Sequence, residues 1–498
     1  MKEYELFDSL SKIDDELIER SNQKGKYKNA DKNTSAKKLL FKRIVPAAAV
    51  FAIVISAVFG IRGLYQKSAL QNGGNSSTAL RDTENKNPTV SLLKYSIAQP
   101  DIPKQIQYTE DYNSKQYEDY YEQNSSRIIG NRIDKTEFSK FLNLTTQSFL
   151  SVKDGKNKVY SPVNVYIALS MMASCTDKDT QDQILNVLGA DSQTKAQETA
   201  VKLLKGNYVD NGSKKSLLTN SIWTGSSFRL NESFLQKLSQ NYYAPIFSGD
   251  PADKKYSQAF RDWLSSATNG LLNDSAEKIE FDEQMALTLV STLYYAANWG
   301  SEFAAENNTE NVFHSIGGDR NCTFMNQQGY ETYIEKSGFS AVTKQLAGGG
   351  RMFFILPDEG TSPETVIGSK ELTDMLYSDN SNDGETANVK LSVPKFDISS
   401  DLDLKSSLVS LGITDAFDPE KADYSPVSAD SLYLSKIQHS ARVSIDEKGV
   451  TAAAFTVETV HGLGVIEKQV DFTLDRPFIF AITGDTGDIM FVGIVNEI

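Results

Sequence analysis

Between Ser444 and Val470 the chain reads SIDEKGVTAAAFTVETVHGLGVIEKQV, and this stretch limits the fold more than any other. Val443 and Ile445 alternate with Arg442, Ser444 and Asp446, the period-two pattern of a strand with one buried face. Glu447-Lys448-Gly449 breaks that pattern, and Thr451-Ala452-Ala453-Ala454 then follows with almost no side-chain bulk. Val457 to Leu463 is irregular, with Gly462 and Gly464 bracketing Leu463, before strand-rich sequence resumes from Val470 to Ile498. Small residues between two strands make either an exposed loop or a segment able to become a strand itself. Ala and Thr fit between close neighbours without overpacking. The stretch alone leaves both readings open.

Apolar residues make up 40% of the 498 and aromatics 10%, enough for a packed body. The net charge of −14 implies no basic surface, which argues against nucleic acid as a partner. Cys175 and Cys322 lie far apart with no CxxC, so neither a disulfide scaffold nor a thiolate metal site is expected, and both are read as buried free thiols. Three histidines occur, His314, His439 and His461, with no nucleophile-elbow motif, phosphate-cradling loop or metal cluster beside them. No enzyme, cofactor or metal is expected.

Residues 44–61 carry no charge and are bounded by Arg43 and Arg62. As a helix these eighteen residues reach roughly 27 Å, enough to cross a bilayer core. Eight Lys or Arg fall between 24 and 43 and three between 62 and 81, so the N-terminus is expected in the cytoplasm and the rest outside. The preceding region is long and no A-x-A site follows, which favours an uncleaved single-pass anchor in the cell membrane over a cleaved signal and secretion. Within the cytoplasmic segment 1–43, Leu6, Leu10, Ile13 and Leu17 share a helical face among acidic residues. That is either a solvated, marginal helix or a dock for a cytosolic partner of residues 1–20. Residues 62–133 are rich in Asn, Gln, Ser, Tyr and acids, and read as an extracytoplasmic stalk with short ordered pieces at most.

From Asp134 the texture becomes that of an α+β domain. Thr136–Leu150 has helical periodicity, and Val159-Tyr160-Ser161-Pro162-Val163-Asn164 joins a strand end to the apolar helix Val165–Ala173. Helices are predicted over Glu232–Tyr243, Tyr256–Ser266 and Leu404–Ile413. Strands are predicted over Leu217–Trp223, Leu287–Trp299, Phe353–Gly360, Val389–Phe396 and Leu432–Glu447. These blocks, in this order and spacing, resemble the serpins. VYSPVNVYIALSMM is similar to the family's Phe-Phe-Ser-Pro-x-Ser-Ile signature, with Asn164 in place of Ser. Glu447-Lys448-Gly449-Val450-Thr451-Ala452-Ala453-Ala454 resembles the family's hinge, and the sequence around Arg476-Pro477-Phe478 its closing strands.

The resemblance covers residues 134–498. It implies three β-sheets, about eight or nine helices and an exposed reactive-centre loop, after a transmembrane helix and a stalk. It further implies a suicide-substrate inhibitor. A target serine protease attacks the loop, and the cleaved loop inserts into a sheet before the acyl-enzyme is hydrolysed. Each inserted residue gains roughly 1 kcal/mol, so the starting fold is held kinetically.

Counting Glu447 as the first hinge residue, the seventeenth is Leu463, and Gly464 lies 14 residues (478 minus 464) before Phe478. Cleavage is expected at Leu463–Gly464, suiting chymotrypsin-, elastase- or subtilisin-like proteases. Ser161, Asn164 and His439 take the positions of the family's shutter beneath the sheet, and Trp299 and Lys395 those of its breach, with Lys395 expected to pair Glu447. By strand parity Val450, Ala452, Ala454, Thr456 and Glu458 share the core-facing side, where Glu458 calls for a basic partner lower in the sheet. The other reading is a non-inhibitory serpin-fold binding or structural module at the cell surface.

Overall fold

The computed structural model describes residues 92–498, except residues 110, 269, 271–280, 282–284, 378–383 and 451–467. All of these lie in one of the two units into which the chain divides, Asn87–Ile498. The expected span 44–61 and the segment 1–43 lie outside the described residues. Among the described residues, no helix is long and apolar enough to cross a membrane.

The chain begins with β1 (Ser96–Ala98), α1 (Lys115–Gly130), α2 (Lys135–Leu150) and β2 (Lys158–Tyr160). Helices α3 (Pro162–Cys175), α4 (Lys178–Leu188) and α5 (Gln193–Asn207) follow, then β3 (Val209–Asp210) and β4 (Lys215–Gly225). Next come α6 (Glu232–Tyr242), β5 (Ile246–Gly249), α7 (Lys254–Ala267) and β6 (Leu287–Asn298). A run of strands succeeds them: β7 (Thr309–Ser315), β8 (Gly318–Lys336), β9 (Phe339–Gln345) and β10 (Arg351–Pro357). Then come α8 (Pro363–Ile367), α9 (Lys370–Tyr377), β11 (Glu385–Pro394), β12 (Phe396–Asp403) and α10 (Lys405–Ser410). Strands β13 (Leu434–Ile445), β14 (Gly449–Val450), β15 (Gln469–Thr473), β16 (Phe478–Thr483) and β17 (Ile489–Val495) complete the body.

Local chemistry sets the helix ends. Asp134 accepts the Thr136 amide at the start of α2, and Ser161 accepts the Asn164 amide at the start of α3, with Pro162 in the first turn. Gly189, in the left-handed region, closes α4. Every residue of α3 is buried, as a helix apolar on all sides requires. The helix expected over Leu404–Ile413 is shorter, Lys405–Ser410. Both cysteines are free, Cys175 buried but Cys322 only half-buried.

Three sheets were expected; among the described residues backbone pairing joins the strands into two. The first runs β1-β5-β4-β6-β14-β13-β12, with β3 on β4, and the second β15-β11-β8-β9-β10-β16-β17-β2, with β7 on β8. The 19-residue β8 explains the merger. Its first part pairs β7, its middle β11 and its end β9, so what would be two sheets share one continuous strand.

The stalk expected over 62–133 stops well short of residue 133. β1 pairs with β5 at the edge of the first sheet, and α1 buries Tyr120. Arg127 of α1 donates to the Gly206 carbonyl and lies 2.5 Å from the buried Asp485, which also pairs with Lys214. A Tyr-, Asn- and Gln-rich segment too poor to build its own core can still cover an existing one. Composition alone could not separate the two cases.

Candidate functional site

The site is a slot in the first sheet. Strand β6 is buried along its whole length and pairs in parallel with β13, through Ile437↔Leu289, His439↔Ser291 and Ala441↔Leu293. At the Asn298 end, β14 sits between them. Gly449 pairs with Asn298, and Val450 pairs with Ala297 on one side and Ile445 on the other, all antiparallel. The first hinge residues are therefore ladder members already. Only glycine fits at 449, because a Cβ there would collide with the Ala297 carbonyl and the Asn298 Cα.

Residues 299–303 hold the turn that feeds β14. Trp299 donates its indole N–H to the Asp446 carbonyl at 2.8 Å and its backbone N–H to the Lys448 carbonyl at 2.8 Å. The Phe303 amide donates to the Glu447 carbonyl at 2.9 Å. Within the turn, Asp446 Oδ1 accepts the amides of Lys448 and Gly449 at 2.8 and 3.1 Å. Glu447 Oε1 lies 2.5 Å from Lys395 Nζ and accepts from Asn308 Nδ2 at 2.5 Å. Burial pushes the Glu447 carboxyl up, but the Lys395 and Asn308 hydrogen bonds outweigh it and leave it below the ordinary carboxylate range.

Further along the slot is a buried polar cluster. The Ser161 amide donates to His439 Nε2 at 3.0 Å, Asn220 Nδ2 donates to Asn164 Oδ1 at 3.5 Å, and Ser291 Oγ donates to the Asn164 carbonyl at 3.4 Å. His439 is fully buried. Burial pulls its imidazole down from 6.5 to about 4, against a smaller upward pull from the Ser291 backbone. With Nε2 accepting, the proton is on Nδ1, and the ring is a neutral structural hydrogen-bonder.

Ser161, Asn164 and His439 thus come together, as do Glu447, Gly449, Val450, Trp299 and Lys395. Thr451, Ala452, Ala453, Ala454, Leu463 and Gly464 lie outside the described residues. Sequence reasoning missed Asn220 and Asn308, and gave Phe303 no role at the hinge. Asn308 meets Glu447 across 139 residues, and nothing in its local sequence marks it out.

Residues 139–498 match the family model described as serpin (serine protease inhibitor), which is more than half of the chain. The chain belongs to the serpin family. Serpin-ZX of Arabidopsis thaliana is 27% identical over 375 residues, covering 72% of this chain and 96% of that one. Plasminogen activator inhibitor 1 of Sus scrofa is 26% identical over 358 residues, covering 69% and 86%. Among solved structures, the thermophilic serpin tengpin in its native state superposes with a TM-score of 0.65 at 28% identity, covering 74% of this chain and 95% of that one. Serpins act on proteases as inhibitors rather than as catalysts, so this chain is not an enzyme.

Proposed function

We propose that this serpin is a suicide-substrate inhibitor of serine proteases with an apolar primary pocket, chymotrypsin-, elastase- or subtilisin-like. The seating of Gly449 and Val450 as antiparallel ladder residues between β6 and β13 carries the proposal, since further along those two strands pair directly with each other with no strand between them. A strand has been started in a slot that could continue it. The small residues from Thr451 to Ala454 suit that continuation.

In the proposed step the protease serine Oγ attacks the Leu463 carbonyl carbon. The Leu463–Gly464 bond breaks, the Gly464 amine leaves with a proton, and an ester links the two proteins. Strand growth from Val450 then carries the ester and the protease away before water can cleave it. Incubation with chymotrypsin, elastase and subtilisin followed by a denaturing gel tests this. A covalent band combining the two masses is expected. Cleaved serpin alone, with every protease still active, would replace the inhibitory reading by the non-inhibitory surface module.

The same proposal places the serpin body outside the cell on a single-pass anchor, residues 44–61, with residues 1–20 free to meet a cytosolic partner. Its support is the charge asymmetry around an uncharged run of eighteen residues.

A further inference from the structure

Three successive carbonyls of the hinge turn, those of Asp446, Glu447 and Lys448, accept hydrogen bonds from residues 299–303. Whatever fixes 299–303 therefore fixes the place where insertion starts. Beneath this segment is an ammonium group. Lys344 lies on β9 with its side chain only 1% exposed. Its Nζ is 4.6 Å from the centre of the Phe303 ring and 5.8 Å from that of Trp299. It also donates to Gln327 Oε1, and Gln327 Nε2 donates onward to Ser301 Oγ at 2.7 Å. One cation thus reaches the first, middle and last residues of the segment.

We infer that Lys344 is a positioning residue for the hinge: its buried ammonium clamps residues 299–303 in the arrangement that holds the 446–448 turn. A methionine would fill the same volume without the cost of burying a charge. Burial pushes the Lys344 ammonium down, opposed in part by Glu331 Oε1 at 3.7 Å, and the negative faces of the aromatic rings attract the cation. Lys344 pairs along the backbone with Met352 of β10, which offers no competing charge. The inference rests on the inhibitory reading only in naming the event that the clamp restrains.

The test measures hydrogen exchange by mass spectrometry over peptides spanning 299–303 and 446–450, on the full chain in detergent. Lys344→Met should speed exchange of both peptides about thirtyfold, the scale of a desolvated cation–ring contact. Lys344→Arg, which keeps a cation over the rings, should restore protection. Phe303→Leu should loosen the same peptides, and Lys344→Met added to it should change little more. Unaltered exchange in Lys344→Met, or full additivity with Phe303→Leu, overturns the clamp. The additivity comparison decides the matter even where the arginine does not fit. A parallel chymotrypsin incubation separates the two ideas. Loosened peptides without any covalent complex leave the clamp standing and remove the inhibitory reading, whereas a complex with unaltered exchange does the reverse.

Discussion

His439 is held neutral in the fold, and the sign of its effect follows. The native state binds fewer protons at this site than the unfolded chain does between pH 6.5 and about 4. Its stabilising contribution is complete above pH 6.5 and is lost as pH falls through about 4; the gap between the two pKa values corresponds to about 3 kcal/mol. Glu331 works the other way. Burial raises its carboxyl to about 7, so on that group alone the native state gains stability as pH falls from about 7 to 4.5. Comparing the wild type with His439→Gln isolates the histidine. The wild-type thermal midpoint should fall relative to the variant's between pH 7 and 4, and a constant difference would mean that His439 is not held neutral by burial. At this scale the sequence was partly legible. Ser161, His439, Trp299 and Lys395 were singled out through their resemblance to family positions, not through local chemistry. Asn220 and Asn308 were not found, because their partners are brought to them only by the sheet.

At the scale of the strand, β14 fixes a register. Val450 pairs with Ile445 and Ala297, so each further residue of an inserted strand moves one position back along both neighbours. In the proposed inserted strand Ala452 would meet Val443 and Tyr295, Ala454 would meet Ala441 and Leu293, and Thr456 would meet His439 and Ser291, a hydroxyl arriving at the polar cluster. Glu458 would fall between Ile437 and Leu289, both buried in the apolar core. The basic partner expected for Glu458 is not at either flanking position. On the proposed insertion a carboxyl there would be held protonated, at about 4 kcal/mol near neutral pH, or would stay out and stop the strand at Val457. The wild type should accordingly waste inhibitor as cleaved by-product at pH 8 and less at pH 6. Glu458→Val should bring the stoichiometry of inhibition close to one at both. A wild type already at one, unchanged by valine, would mean that a charge reaches Glu458 from beyond the flanking strands. Periodicity had predicted the strands on either side of this slot nearly to their ends. The continuity of β8 through two expected sheets was not visible, since pattern reports faces and lengths but not partners.

For the whole molecule, the boundary between tether and body is what the sequence misplaced. Residues 92–133 read as stalk because they hold few apolar side chains, yet β1 extends the first sheet and Arg127 enters a buried ionic cluster with Asp485 and Lys214. A segment whose polar groups are satisfied by an existing body needs no core of its own. This moves the end of the stalk expected after the span from residue 133 to a point before β1, and the difference can be read directly. On the proposed anchor at residues 44–61, membranes carrying the full chain should keep it through high-salt and carbonate washes. Mild proteolysis from outside should then release a fragment whose N-terminus lies upstream of β1, since packed backbone resists cutting. That fragment should still form the covalent complex with chymotrypsin. A fragment starting near 134 would mean that the first forty residues of the body are as accessible as a stalk. A soluble protein already starting near residue 62, before any protease is added, would mean that residues 44–61 serve as a cleaved signal and that the inhibitor is secreted.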